Sequence, residues 1–173
     1  MYYSLCAVGG MPSAKVRQGQ EEIGAICELA ARTDLLRGYR VCDMVARVRM
    51  PIRLHQFRIY YNHFGQLMGY LTWAWLSHEV EARVIASRMI QLEAFEWNEG
   101  TSLWIVDFVV LAGGVNSVLA DLRDNVFSDE KSVAYFRYRQ GKKIAKRVCR
   151  DDASNFWRGV SLPARVGQES TRP

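Results

Sequence analysis

Apolar residues recur at helical spacing twice before any strand pattern begins. From Glu21 the positions Ile23, Ile26, Cys27 and Ala30 share one side of a helix, and Val41, Met44, Val45 and Val48 do so in a second helix expected to end near Pro51. The period then changes. Phe57 to Tyr61 and Leu67 to Trp75 are rich in aromatic and β-branched residues, and Asn62, His63, Phe64 and Gly65 between them signal a hairpin. Ser77 is placed to cap a third helix whose buried stripe is Val80, Val84, Ile85, Met89 and Leu92, ahead of a turn at Asn98, Glu99 and Gly100. Leu103 to Leu111 is almost continuously apolar, as a central strand covered on both faces must be. Gly113 and Gly114 follow it and open a helix carrying Val115, Val118, Leu119, Leu122 and Val126. Ser132 to Tyr138 and Ile144 to Val148 close the set, antiparallel across Gln140 and Gly141.

Helices first, then strands with two inserted helices, define an α+β class: a single domain with a mostly antiparallel mixed sheet flanked by helices. The domain is expected over residues 20–157, with 1–19 and 158–173 as flexible ends lacking periodicity. A chain of 173 residues with 49% hydrophobic and 24% charged residues can bury one substantial core. Nowhere does an apolar run approach the roughly 20 residues that span a bilayer. Met1 to Gly10 is apolar but short and has no basic residue before it, so a cytoplasmic protein is expected, although Met11-Pro12 leaves the true start open. Cys6, Cys27, Cys42 and Cys149 are widely spaced and form no metal-ligand pattern, and reduced thiols are expected.

Charge changes the picture at one place. The chain carries a net +5, and between Lys131 and Arg150 stand eight basic residues and no acid. Such a stretch suits an acidic protein partner. With Tyr135, Phe136 and Tyr138 interleaved it is also compatible with nucleic acid, a reading ranked behind the protein partner.

The candidate chemistry lies on the central strand. Asp107 is flanked by Val106 and Phe108, and a buried carboxylate costs several kcal/mol unless it is hydrogen-bonded, paired or protonated. It is therefore either a proton carrier with a shifted pKa or a structural residue held by backbone or an arginine. Gly113 and Gly114 allow close backbone approach before a helix N-terminus, which suits a phosphopantetheine arm or its phosphate; a tight strand-to-helix connection would need the same residues. His55, His63 and His78 have no metal-ligand spacing and read as surface residues, and Trp73, Trp75, Trp97 and Trp104 read mainly as core.

Two local patterns resemble those of the toxin-activating lysine acyltransferases, which fatty-acylate internal lysines of RTX toxins. One is Tyr70-x-Thr72-Trp73-Ala74-x-Leu76; the other is Trp97-x-x-Gly100-x-x-x-Trp104-x-x-Asp107, which keeps the family's spacing to its catalytic aspartate. The resemblance continues loosely to about Arg150. It implies an N-acetyltransferase-like fold and a cytoplasmic enzyme that moves an acyl chain from acyl-acyl carrier protein to a lysine of a partner such as an RTX protoxin. It further implies a homodimer, no bound cofactor and no metal. Asp107 is then the catalytic residue, with Gly113 and Gly114 near the thioester arm and Arg137 near the donor phosphate or carrier.

One position departs from the family pattern. The segment Thr33-Asp34-Leu35-Leu36-Arg37-Gly38-Tyr39 is the best match to the family's histidine-bearing segment, and it puts Leu36 where that histidine stands. Attack on a thioester requires a neutral amine, and lysine's pKa is about 10.4. Three expectations remain: Asp107 acts directly or through water, His55 or Asp34 reaches the site, or the chain binds without turning over.

Overall fold

The computed structural model describes residues 14–34, 36 and 38–150. Helix α1 (Ala14–Ala31) and helix α2 (Val41–Arg53) come first, then the hairpin β1 (Phe57–Tyr61) and β2 (Leu67–Leu76). Helix α3 (His78–Ser87) and a 3-10 turn (Ala94–Trp97) precede β3 (Ser102–Val110). Helix α4 (Val115–Asp121) continues as a π turn (Leu122–Val126) into the hairpin β4 (Ser132–Arg139) and β5 (Lys142–Cys149). The start of α1 lies within the stretch expected to precede the domain. The other calls on the ends, residues 1–13 and 151–173, lie outside the described residues, as does Cys6.

Turn chemistry works as the sequence implies. Asn62 Oδ1 accepts from the backbone N–H of Phe64 and of Gln66, both at 2.9 Å, and Gly65 takes φ +74° to close the first hairpin. Gln140 and Gly141 both have positive φ, as a primed two-residue turn requires. Ser77 Oγ accepts from Val80 N at 3.3 Å and caps α3.

Three helical expectations need correction. Helix α2 runs past Pro51 to Arg53, because a proline in the last turn removes only one ladder hydrogen bond. Helix α3 stops at Ser87, where Arg88 turns left-handed (φ +56°). Val80 and Val84 are buried, but Ile85 and Met89, read as part of the same stripe, are 45% and 49% exposed. Val115 is likewise exposed, while Val118 of the same helix and Leu122 of the π turn that continues it are buried.

The five strands lie in the order β1-β2-β3-β4-β5, with every pair antiparallel except β3–β4. One face of the sheet packs on α1 and α2 through Ile26, Leu29, Met44, Val48, Tyr70 and Val109, and on α3 through Ala74, Val84, Trp104 and Ala134. The other packs on α4 through Leu71, Trp73, Leu103, Ile105, Val118 and Leu122. Among the described residues β3 and β4 share one ladder pair, Trp104↔Ala134, so they are not zipped together beyond it. This is an acetyltransferase-like α+β fold.

Gly100 explains part of the second motif without chemistry. Its N–H donates to Trp75 O at 3.0 Å, and a Cβ placed there would lie 1.9 Å from Leu76 O. No side chain fits against that backbone.

Candidate active site

Asp107 owes its orientation to one extra residue. Along β3, Leu103 and Ile105 face α4, and simple alternation would send residue 107 the same way. The β2–β3 register instead pairs Trp73 with Ile105 and Thr72 with Asp107, so Val106 is the inserted residue of a β-bulge. Beyond it the alternation is inverted. Phe108 and Val110 face α4, while Asp107 joins Val109 on the face covered by α2.

There it meets Arg47. Asp107 is 6% exposed, and the Arg47 guanidinium grips it with Nε at 2.8 Å from Oδ1 and 3.0 Å from Oδ2, and with Nη2 at 2.5 Å from Oδ1. Thr72 sits between the strands and works in both directions: its hydroxyl donates to Asp107 Oδ2 at 3.1 Å, and its oxygen accepts from Asp107 N at 3.1 Å. The single Nε–H is shared between the two oxygens, so three donor hydrogens reach a carboxylate that offers about four lone-pair positions. Burial opposes the Arg47 charge, but the adjacent carboxylate outweighs it and holds the guanidinium above its ordinary value. Arg47 Nη1 makes no bond among the described residues, and the side chain stays 32% exposed.

Two groups nearby complete the surroundings. The Tyr70 hydroxyl is buried without a hydrogen-bond partner among the described residues, and burial followed by the charge of Asp107 pushes it well above the usual tyrosine range. Lys143 of β5 lies on the same sheet face, its Nζ 4.5 Å from the centre of the Phe136 ring and 5.9 Å from that of Tyr138. Burial, then the charge of Arg47, holds its ammonium below the ordinary lysine value.

The residues singled out in the sequence divide between the two faces. Gly113 (φ +89°) and Gly114 lie in the turn after β3, which leads to α4 on the face away from Arg47. A Cβ on Gly114 would meet Met68 Cε at 2.4 Å, the end of a flexible side chain. Strand alternation puts Arg137 with Val133 and Tyr135 on the α4 side, exposed. His55, His63 and His78 are exposed, as is Asp34. Leu36, by contrast, is buried in the α1–α2 core.

The basic stretch is also partly spoken for. Arg147 bonds Glu81, Ser102 and Ser132, and Arg150 reaches the carbonyls of Arg123, Phe127 and Glu130. Lys131, Arg137, Lys142 and Lys146 remain exposed. By register, Arg137, Lys142 and Lys146 stand on the α4 side of the β4–β5 hairpin.

Sequence reasoning missed Arg47, Thr72 and Lys143. Arg47 borders the stripe of Met44 and Val48 on α2, the one hint that its charge points partly inward. Among the described residues no His, Cys, Asp and Glu side chains cluster as a metal site, and no helix is long and apolar enough to cross a membrane.

The buried Asp107 carboxylate, re-aimed by the bulge toward Arg47, is the candidate site on this fold. The chain belongs to the RTX toxin acyltransferase family, which it matches over residues 15–150. It is 26% identical over 110 residues to the lysine-acyltransferase RtxC of Vibrio cholerae serotype O1, covering 64% of this chain and 71% of that protein. It is 25% identical over 136 residues to the RTX-II toxin-activating lysine-acyltransferase ApxIIC of Actinobacillus pleuropneumoniae, covering 73% and 84%. A Synechocystis protein, sll0720, is 25% identical over 125 residues, covering 72% and 84%.

Proposed function

We propose that this acyltransferase moves a fatty acyl group from acyl-acyl carrier protein to an internal lysine of a partner protein such as an RTX protoxin, in the cytoplasm and as a homodimer. The observation that carries the reading is the Arg47–Asp107 pair, a charged and partly open site beneath α2 in a chain of this family.

The two faces suggest a division of labour. The acidic carrier would dock on the α4 side against Arg137, Lys142 and Lys146, where charge complementarity favours encounter. Its arm would pass the Gly113–Gly114 turn and enter between β3 and β4 beyond the Trp104↔Ala134 pair. The thioester would then face Asp107 and Arg47. A carboxylate that already takes three donor hydrogens, two of them from a guanidinium, is a poor base but a good anchor, which favours the orienting role for Asp107 over proton abstraction. It fixes Arg47 so that Nη1 can meet the oxygen that gains charge as the amine attacks. An arginine preset in that position supplies electrostatic stabilisation without reorganisation.

The test is transfer itself. Acyl-acyl carrier protein and a lysine-bearing protoxin fragment are incubated with the protein and the fragment is weighed by mass spectrometry. A gain of one acyl group on a lysine is expected; no gain at high protein loading counts against the proposal.

A second reading has its own observation: the described partners of Asp107 are Arg47 and Thr72, with no histidine among them. A binding module that has lost turnover would have such a site. It would hold acyl carrier protein equally well as the native chain and as Asp107→Ala, with no transfer from either.

A further inference from the structure

We infer that Lys143 is itself an acyl acceptor, so that the protein acylates its own β5 strand when no partner lysine occupies the site. The inference rests on the acyl-transfer reading above and adds a modification site to it.

Geometry comes first. Tyr138 and Lys143 are direct cross-strand partners and share a face with Phe136, Ala145 and Arg147; this is the face onto which the β3 bulge turns Asp107. Lys143 stands two strands from Asp107, across β4. Its stem reaches toward β4, and Nζ lies 4.5 Å from the centre of the Phe136 ring and 5.9 Å from that of Tyr138, both on β4. An incoming acceptor lysine must bring its amine to the same neighbourhood.

The electrostatics agree with the placement. Burial, then the positive charge of Arg47, the residue that grips Asp107, favours the neutral form of Lys143 and outweighs the attraction of the Phe136 ring for its cation. Lys142 and Lys146, its neighbours on the strand, are exposed and lie on the other face. A neutral amine is the form that attacks a thioester.

The step balances without a cofactor. The Lys143 nitrogen attacks the thioester carbonyl carbon, a C–N bond forms, the C–S bond breaks, and the carrier leaves as a thiol. Of the two protons lost by the original ammonium, one ends on the departing sulfur and one in solvent. No oxidant or reductant is consumed.

Purified full-length chain is incubated with hexadecanoyl-acyl carrier protein and no acceptor, then digested and mapped by mass spectrometry. The expected product carries one acyl group at Lys143, formed an order of magnitude faster than any at Lys131, Lys142 or Lys146. Lys143→Arg should abolish it and Lys142→Arg should not. Label spread evenly over the exposed lysines would overturn the inference. So would an unlabelled chain that acylates an added protoxin fragment, an outcome that leaves the acyl-transfer reading intact. No acylation of either protein would remove both.

Discussion

Two carboxylates in this molecule are buried to nearly the same degree and gripped by an arginine, yet their settings differ. Glu96 is 4% exposed and Asp107 is 6%. Glu96 sits in the short 3-10 turn before β3, where its Oε2 accepts from Arg83 Nη2 at 2.6 Å and from the backbone N–H of Glu93 at 2.8 Å, within a capping box. The Glu93 contact closes the turn, and the Arg83 contact ties the turn to α3. Asp107 is bonded across 60 residues to Arg47 and across 35 to Thr72, in mid-sheet, beneath an orphan Tyr70 hydroxyl and beside an opening in the strand ladder. Burial and an arginine partner are shared, so neither marks a functional carboxylate. What separates the two is reach: Glu96 is bonded within its own turn and to the helix just before it, while Asp107 is bonded across the sheet to α2 and to the neighbouring strand.

The comparison breaks most sharply under mutation of Asp107. Asp107→Asn keeps the shape but turns an amide toward Arg47 and frees the guanidinium from its anchor. Acyl transfer should fall by about 100-fold or more in kcat/KM, the range seen when a preset electrostatic group is lost. A thermal melt run alongside separates this from unfolding, since leaving Arg47 without its partner also costs stability. Transfer within a few-fold of the native rate in a folded variant would make Asp107 a second Glu96.

Glu96→Gln is the counterpart and its effect should be smaller and of another kind. Glutamine can still accept from Glu93 N, but the charged contact to Arg83 is gone. A drop of roughly 5 °C in melting temperature is expected, with acyl transfer unchanged well below the transition. Loss of transfer at a temperature where the variant is folded would mean that the turn before β3 communicates with Asp107.

How far this contrast was legible in the sequence depends on the residue. Asp107 was visible because a lone acid in the apolar run from Leu103 to Leu111 has few bland explanations. Glu96 was not, because nothing in Phe95-Glu96-Trp97 marks the acid as inward-facing and its burial comes from packing of the turn on the sheet. The strands and both hairpins followed from alternation and turn residues, which act locally. The bulge at Val106 did not: one extra residue inside an unbroken apolar run leaves no trace in hydrophobic pattern, yet it decides which face Asp107 points to. Arg47 escaped for a related reason, since nothing in a local window tells a helix residue which strand lies beneath it. The end of α3 was misread because Ile85 and Met89 continue the helical period while Arg88 breaks it through a left-handed backbone.

The smallest effect tests the structural carboxylate alone. The hydrogen bond from Arg83 is the main cause that holds Glu96 below its ordinary value of 4.5, with burial opposing it. A carboxylate depressed in the folded state contributes stability in full above its unfolded value and loses it as pH falls through the folded one. The difference in stability between the native chain and Glu96→Gln should therefore be constant from neutral pH down to about 5.5, then shrink below about 4.5 as the unfolded state takes up a proton that the folded state resists. Taking the difference between two chains cancels the exposed carboxylates Asp43 and Asp124, which are lowered by their own arginine neighbours and titrate in both. Denaturant melts at stepped pH measure it. A gap that stays constant down to about pH 3 would mean that the Arg83 contact contributes nothing through charge, and that Glu96 is held by its turn alone.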